Sequence, residues 1–412
     1  MKFKLTAFII LLSMGLAACN SSSSNGEGQT SEVLDKEWNQ IEKEAEGSTV
    51  NLFMWGGDNG INRYIDDWVA PRLKEEYGVT LKRRPMDTNE FIQKLQTEKK
   101  AGKAEGTIDI IWINGENFKN AKENGLLIGS FASKLPNNKK YIDPNKNFTK
   151  SDMGTEIEGM EAPWGNVQFV MWYDAAKVEN PPKNTEELKA FAEKNPGKFT
   201  YPNPKDFTGN AFLRHVLYEK TGKDKMLNEK GDPSWLDAKD DAFWDYLKEI
   251  SPNLWRKGKT YPESLTQLDQ LYSKGEVWFT FGFNEARGEG LIKDGVFPET
   301  TKSYVLDVGS IGNTHYLSIP FNSPNPAGAM VAINFMESPD AQLAKMDPSM
   351  WGEGMVLDTE RLPDDLQSDL QALDRGKAVL STNELEEAYL PELNSTYIDW
   401  IKEHWLNEVV KK

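Results

Sequence analysis

Residues 49–59 read Thr49-Val50-Asn51-Leu52-Phe53-Met54-Trp55-Gly56-Gly57-Asp58-Asn59. A short run rich in apolar residues that ends in two glycines and an Asp-Asn pair has the form of a buried strand emptying into a turn. Working outward, Ile61 to Tyr77 carries apolar side chains at helical spacing, with Pro71 expected to bend or break it and Gly78 to end it. Val79 to Arg83 reads as a second strand and Asn89 to Lys100 as a second helix. Thr107 to Ile113 is a third strand, apolar on both faces. The turn Asn114-Gly115-Glu116-Asn117 and a short helix, Phe118 to Asn124, follow it. Strands alternating with helices predict a parallel sheet covered on both sides. In such sheets ligands bind beyond the carboxyl ends of the strands. The loops after the first and third strands therefore become the leading candidates for a binding site.

Further along, Pro163-Trp164-Gly165-Asn166 leads into an aromatic strand, Val167 to Tyr173. Helices are expected at Thr185–Lys194, after Thr208-Gly209-Asn210, and over 237–251 and 262–273. Strands are expected at Lys198–Tyr201, Gly275–Phe281 and Thr314–Pro320, and a helix at Asn325–Met336. The last 60 or so residues read as helical, with Trp400, Ile401, Trp405 and Leu406 as an apolar face. Ser31 to Glu46 reads as a polar amphipathic lead-in helix, and there is no internal repeat. The class is α/β, with a second α/β lobe after the first.

The N-terminus has the layout of a secretory signal: Lys2 and Lys4, then a mostly apolar run from Leu5 to Ala18. That run is shorter than the roughly 20 residues a membrane span needs. Leu16-Ala17-Ala18-Cys19 resembles the bacterial lipobox, which predicts lipidation of Cys19. Cys19 is the single cysteine of 412 residues, so no disulfide forms within the chain and no cysteine metal cluster exists. Residues 20–30 are rich in Ser, Gly and Asn and read as a flexible tether, reaching roughly 20 Å.

Net charge is −16, which argues against nucleic acid and against a polybasic membrane face. Phosphate loops, zinc-protease helices and nucleophile elbows are absent from the sequence. Three widely spaced histidines do not suggest a metal site, and no metal or cofactor is expected. Asp143 to Gly154 begins like a calcium loop but has Phe148 at the turn position and Gly154 at the bidentate position.

Several segments in order resemble the extracellular solute-binding proteins of ABC importers: the lipobox and tether, the strand ending Trp55-Gly56-Gly57, and Thr107 to Trp112. Val167 to Asp174, Pro182 to Leu188, Gly275-Glu276 before its strand, and Asn325 to Gln342 complete the set. Within that family the chain is similar to the YnjB-like branch, which leaves the solute open. The resemblance implies a two-lobed, type II periplasmic-binding-protein-like fold with a ligand cleft between the lobes. It implies a signal peptide over 1–18, and lipidated Cys19, tether and lead-in over 19–47. Lobe 1 would take 48–163, lobe 2 164–308, and 309–412 would return to lobe 1 and the C-terminal helices. Crossing segments would lie near Pro163–Phe169 and Gly309–Ser318. It also implies a non-enzymatic monomer, held outside the cytoplasm by its lipid, that delivers a small solute to permease subunits served by a separate ATPase.

The expected ligand-binding residues are Trp55, Asp58 and Asn59 after the first strand and Asn114, Glu116 and Asn117 after the third. Trp164 and Asn166 would sit at the crossing. Tyr201, Thr208, Gly209, Asn210, Phe281, Phe283, Asn284 and Glu285 would come from the second lobe. Trp55 reads equally as a stacking wall or a core cap, and Asp58 equally as a helix cap. Arg287 reads first as a plain surface charge and second as a ligand contact. Aromatic faces with carboxylates favour a cationic solute, either aromatic and thiamine-like or polyamine-like, with a sugar second. A lipid-anchored carbohydrate-active hydrolase is the alternative, with a cleft pair drawn from Asp58, Glu116 and Glu285. A surface adhesin would need β-rich repeats, which are absent.

Overall fold

The computed structural model describes residues 32–228, 231–236 and 241–411. The signal sequence, Cys19, the tether and the expected start of the 237–251 helix lie outside the described residues. Among the described residues no helix is long and apolar enough to cross a membrane.

The first strand, β1 (Thr49–Met54), pairs in parallel with β2 (Thr80–Pro85) on one side and β3 (Ile110–Ile113) on the other. A small hairpin, β4 (Ser151–Asp152) and β5 (Thr155–Glu156), follows. Then β6 (Ala162–Gln168) and β7 (Val170–Asp174) run in succession. After β8 (Phe279–Gly282) and β9 (Thr301–Tyr304), the long β10 (Ser310–Ser318) lies antiparallel to both β3 and β6. β11 (Tyr389–Leu390) closes the edge parallel to β10. Two main sheets result: β11-β10-β3-β1-β2 with β6 on β10, and β8-β7-β9.

Each sheet carries its own core. Val50, Leu52, Met54 and Ile110 pack with the Pro326–Met336 helix, whose residues from Ala327 to Met336 are all buried. On the opposite face Phe53, Ile111 and Ile113 pack with Phe91, Leu95 and Phe118. Strands buried on both faces read as continuous apolar runs, as these do. The second core gathers Met171, Phe199, Phe212, Phe279 and Phe281 with Trp400 and Trp405 of the Ser395–Trp405 helix.

Four local expectations change. The run Val167 to Tyr173 is two strands, because Phe169 ends the ladder with β10 and its successors pair with β8 and β9 in the other sheet. Lys198 to Tyr201 is extended without being a strand. It receives single bonds from Trp278 and Trp255, and Pro202 and Pro204 supply no N–H to continue a ladder. Pro71 does not break its helix, since a π segment, Tyr64–Val69, runs directly into Ala70–Tyr77 and Pro71 falls in the first turn of the latter. Leu406 is 43% exposed and lies off the apolar face.

Candidate functional site

A cavity of about 380 Å³ opens where the carboxyl ends of β1, β2 and β3 face the second sheet. Its wall holds five aromatic rings (Trp55, Trp112, Phe207, Phe283 and Trp351), five carboxylates (Asp58, Asp87, Glu116, Asp206 and Glu263) and three cations (Lys205, Arg287 and Lys402). His315, the amides Asn89, Asn114, Asn117 and Asn284, and the hydroxyls Thr88, Thr208, Ser264 and Thr266 complete the polar lining.

Local sequence sets these side chains. Trp55 leaves β1 and its ring lies against the backbone of Gly57, where a Cβ would fall 2.4 Å from the ring. Asp58 follows. Its Oδ1 accepts from the backbone N–H groups of Gly60 and Ile61 at 2.8 and 3.2 Å, capping the next helix. Its Oδ2 accepts from Arg287 Nε at 3.1 Å. Asp206 does comparable duty on the far side, accepting from Gly209 N at 2.8 Å and from Leu265 N at 3.0 Å. One carboxylate thereby ties together the starts of the Phe207–Thr221 and Leu265–Ser273 helices.

The loop after β3 is held from below and from across the cleft. Asp152 accepts from Gly115 N, and burial pushes its carboxyl up to about 7. Glu116 is paired with Lys402 of the C-terminal helix. Asn114 donates to Asn313 at 3.0 Å. Asn284 adopts a left-handed backbone, φ 72°, which Asn tolerates better than most residues. Its Nδ2 donates to Trp351 O at 3.1 Å and so ties the β8 loop to the Trp351 loop.

Of the expected binding residues, Trp55, Asp58, Asn114, Glu116, Asn117, Thr208, Phe283 and Asn284 line the cavity. The others stand elsewhere. Trp164 is fully buried behind the wall, edge-on to Trp112 and Trp351 at 5.5 and 4.9 Å. Asn166 is held by Thr314 and the Gly354–Met355 backbone. Tyr201 stacks on Phe212 inside the second core, and Phe281 packs there on Phe169 and Phe212. Asn210 faces inward and donates to Pro204 O and Ile398 O, while Gly209 packs against the Pro202 carbonyl. Glu285 turns away to Arg375 at 3.0 Å, and Asn59 is exposed outside the wall. Arg287, read as a surface charge or a ligand contact, is not a surface charge: it is 8% exposed, lies on the cavity wall and is paired with Asp58 and Asp269.

Trp112, Trp351, Phe207, His315 and Lys402 escaped sequence reading. Trp112 had one signal, as the single wide side chain near the end of an aliphatic strand. Lys402 had none, standing 286 residues from its partner.

Residues 68–372 match the family described as bacterial extracellular solute-binding protein. The chain belongs to this family. It is 39% identical over 338 residues to protein YnjB of Escherichia coli strain K12, covering 82% of this chain and 86% of that one. Its fold matches the spermidine/putrescine ABC transporter substrate-binding protein PotD of Streptococcus pneumoniae with a TM-score of 0.57 at 17% identity, over 88% of this chain and 98% of that chain. It also matches the periplasmic binding protein AfuA of Actinobacillus pleuropneumoniae, solved with fructose-6-phosphate, with a TM-score of 0.61 at 14% identity, over 88% and 98%. The architecture is that of the type II periplasmic binding proteins, and the protein is a bacterial extracellular solute-binding protein. Family membership places it outside the cytoplasm, with a small-molecule solute as its ligand.

Proposed function

We propose that the protein captures a small organic cation with a flat or apolar face in the cavity between its lobes, closes over it by a hinge, and hands it to a permease driven by a separate ATPase. The observation that carries this reading is the composition of the wall. Aromatic rings line it, and five carboxylates outnumber three cations, of which Arg287 and Lys402 are already paired with carboxylates and Lys205 is exposed. A cation over tryptophan faces gains most where water is excluded. Hinge closure requires the solute to bind the closed arrangement better than the open one. Identities below a fifth to PotD and AfuA carry no solute across. Lipid attachment at Cys19 and a monomeric state complete the proposal.

A sugar is the second reading, favoured by Asn89, Asn114, Asn117 and Asn284, whose amides both donate and accept. A hydrolase gains no such support, since Asp58, Glu116 and Glu285 each accept from an Arg or Lys.

The test is a thermal-shift panel of polyamines, thiamine and its phosphates, sugars, amino acids and oxyanions. A solute at about 100 times its Kd adds about 2.7 kcal/mol to the folded state. Stabilisation by an amine or thiamine supports the proposal. Stabilisation by phosphate or sulfate alone sinks the cation preference.

A further inference from the structure

Three ionisable side chains run in a row from the cavity wall inward. Lys345 and Glu353 are wholly buried, Nζ 3.8 Å from Oε1. The same Oε1 lies 2.9 Å from Nδ1 of His315, which reaches the cavity itself. The fold makes specific room for this row. Gly165 stands opposite His315 in the β6–β10 ladder, and a Cβ there would fall 1.5 Å from Glu353 Oε1. The ladder shifts register between His315 and Tyr316, and such bulges re-aim side chains beside functional sites. Trp112 flanks the imidazole edge-on at 4.7 Å, limiting its rotation. Lys345 also donates to Trp164 O, and burial pulls its ammonium down to about 8, so it is still mostly charged at neutral pH. It thus offsets the Glu353 carboxylate.

We infer that His315 is a solute-contacting residue whose Nδ1–H is fixed by the buried Glu353–Lys345 pair, so that Nε2 offers a lone pair to the cavity. With Glu353 Oε1 accepting, Nδ1 carries a proton, and a ring whose single proton sits there presents an acceptor at Nε2. An acceptor on the wall selects among cations. It favours a solute bearing an N–H or O–H donor, and it does nothing for a fully alkylated ammonium group. This inference rests on the cavity being the solute site and sharpens the solute class. His315 touches the solute, and Glu353 and Lys345 are positioning residues.

The experiment has two arms. Nitrogen-15 NMR of the purified protein at neutral pH, with the His315 signals assigned by their loss in His315→Gln, reads the tautomer without any solute. A protonated Nδ1 and a bare Nε2 are expected, with the pattern disturbed in Glu353→Gln. A protonated Nε2, as would follow if Glu353 held the proton, overturns the orientation. In the second arm putrescine and thiamine are titrated into the wild type, His315→Gln and His315→Leu. Leu should weaken binding about tenfold, while Gln, which restores an oxygen near the Nε2 position, should keep more of it. Equal affinity in all three overturns the contact. A wild type that binds neither compound overturns the cationic reading instead, and the solute-free NMR arm separates that failure from a wrong orientation of His315.

Discussion

Arg287 reaches across the cleft to Asp58, Nε to Oδ2 at 3.1 Å, while its Nη2 bonds Asp269 on its own side. Asp58 belongs to the loop after β1 and Asp269 to the Leu265–Ser273 helix, so one guanidinium bonds a carboxylate from each side of the cleft. All three side chains are nearly sealed from water. Opening the cleft must break the Asp58 half of this triad and rehydrate it. The pair therefore couples the loop that carries Trp55 to the position of the opposite lobe.

Arg287→Met should destabilise the fold by about 3–5 kcal/mol, because it leaves two buried carboxylates without a cation. Urea unfolding measures this directly. A loss below about 1 kcal/mol would show that water already reaches the triad.

Trp55 and Trp164 should separate cleanly. Trp55 is partly buried on the cavity wall, whereas Trp164 is fully buried behind it. Trp55→Ala should cost about tenfold in affinity for a cationic solute, the worth of a desolvated cation–π contact, with little change in stability. Trp164→Ala should cost about 3–5 kcal/mol of stability. Calorimetric titration and thermal melts on both variants give the comparison, and equal behaviour would contradict the placement of the two rings.

Asp152 imposes a pH dependence. Burial raises its carboxyl from 3.8 to about 7, so the folded state keeps a proton that the unfolded chain releases. Its contribution is fully present below about pH 4 and is lost as pH rises to about 7. Asp152→Asn keeps an acceptor for Gly115 N without the charge. The variant should lose this alkaline-side decline, read as a smaller difference between unfolding free energies at pH 5 and pH 8.

His215 works in the opposite direction. Burial holds its imidazole down to about 3 from 6.5, and it bridges the Ala211 carbonyl and the Ile311 N–H. The unfolded chain takes up a proton that the folded state refuses, so stability is lost as pH falls from about 6.5 towards 3. His215→Gln should flatten that part of the acid profile. An unchanged slope would mean that other groups set acid lability.

Strands β1, β2 and β3 of the first sheet were legible from their apolar runs and the turn residues around them, whereas β11 fell in a stretch read as helical. Trp55-Gly56-Gly57 and Asn114-Gly115 mark the ends of β1 and β3 without help from the fold. The passage between sheets was not legible. Phe169 carries no glycine or proline signal, and only the different partners of β6 and β7 reveal the break. Second-lobe candidates fared unevenly for a related reason. On β8 and the start of the Phe207–Thr221 helix, consecutive residues are buried on every side, so sequence position did not say which of them faced the cleft.

The sequence by itself determined the class of the protein, the alternation of strands and helices, and the two loops that line the cavity. These follow from local periodicity and turn chemistry, which act over a few residues. Only the tertiary structure decided which side chains meet there. Asp58 and Arg287 lie 229 residues apart, Glu116 and Lys402 286, and Glu353 and His315 38. Pairing energies depend on distance and burial in space, and neither is written into spacing along the chain.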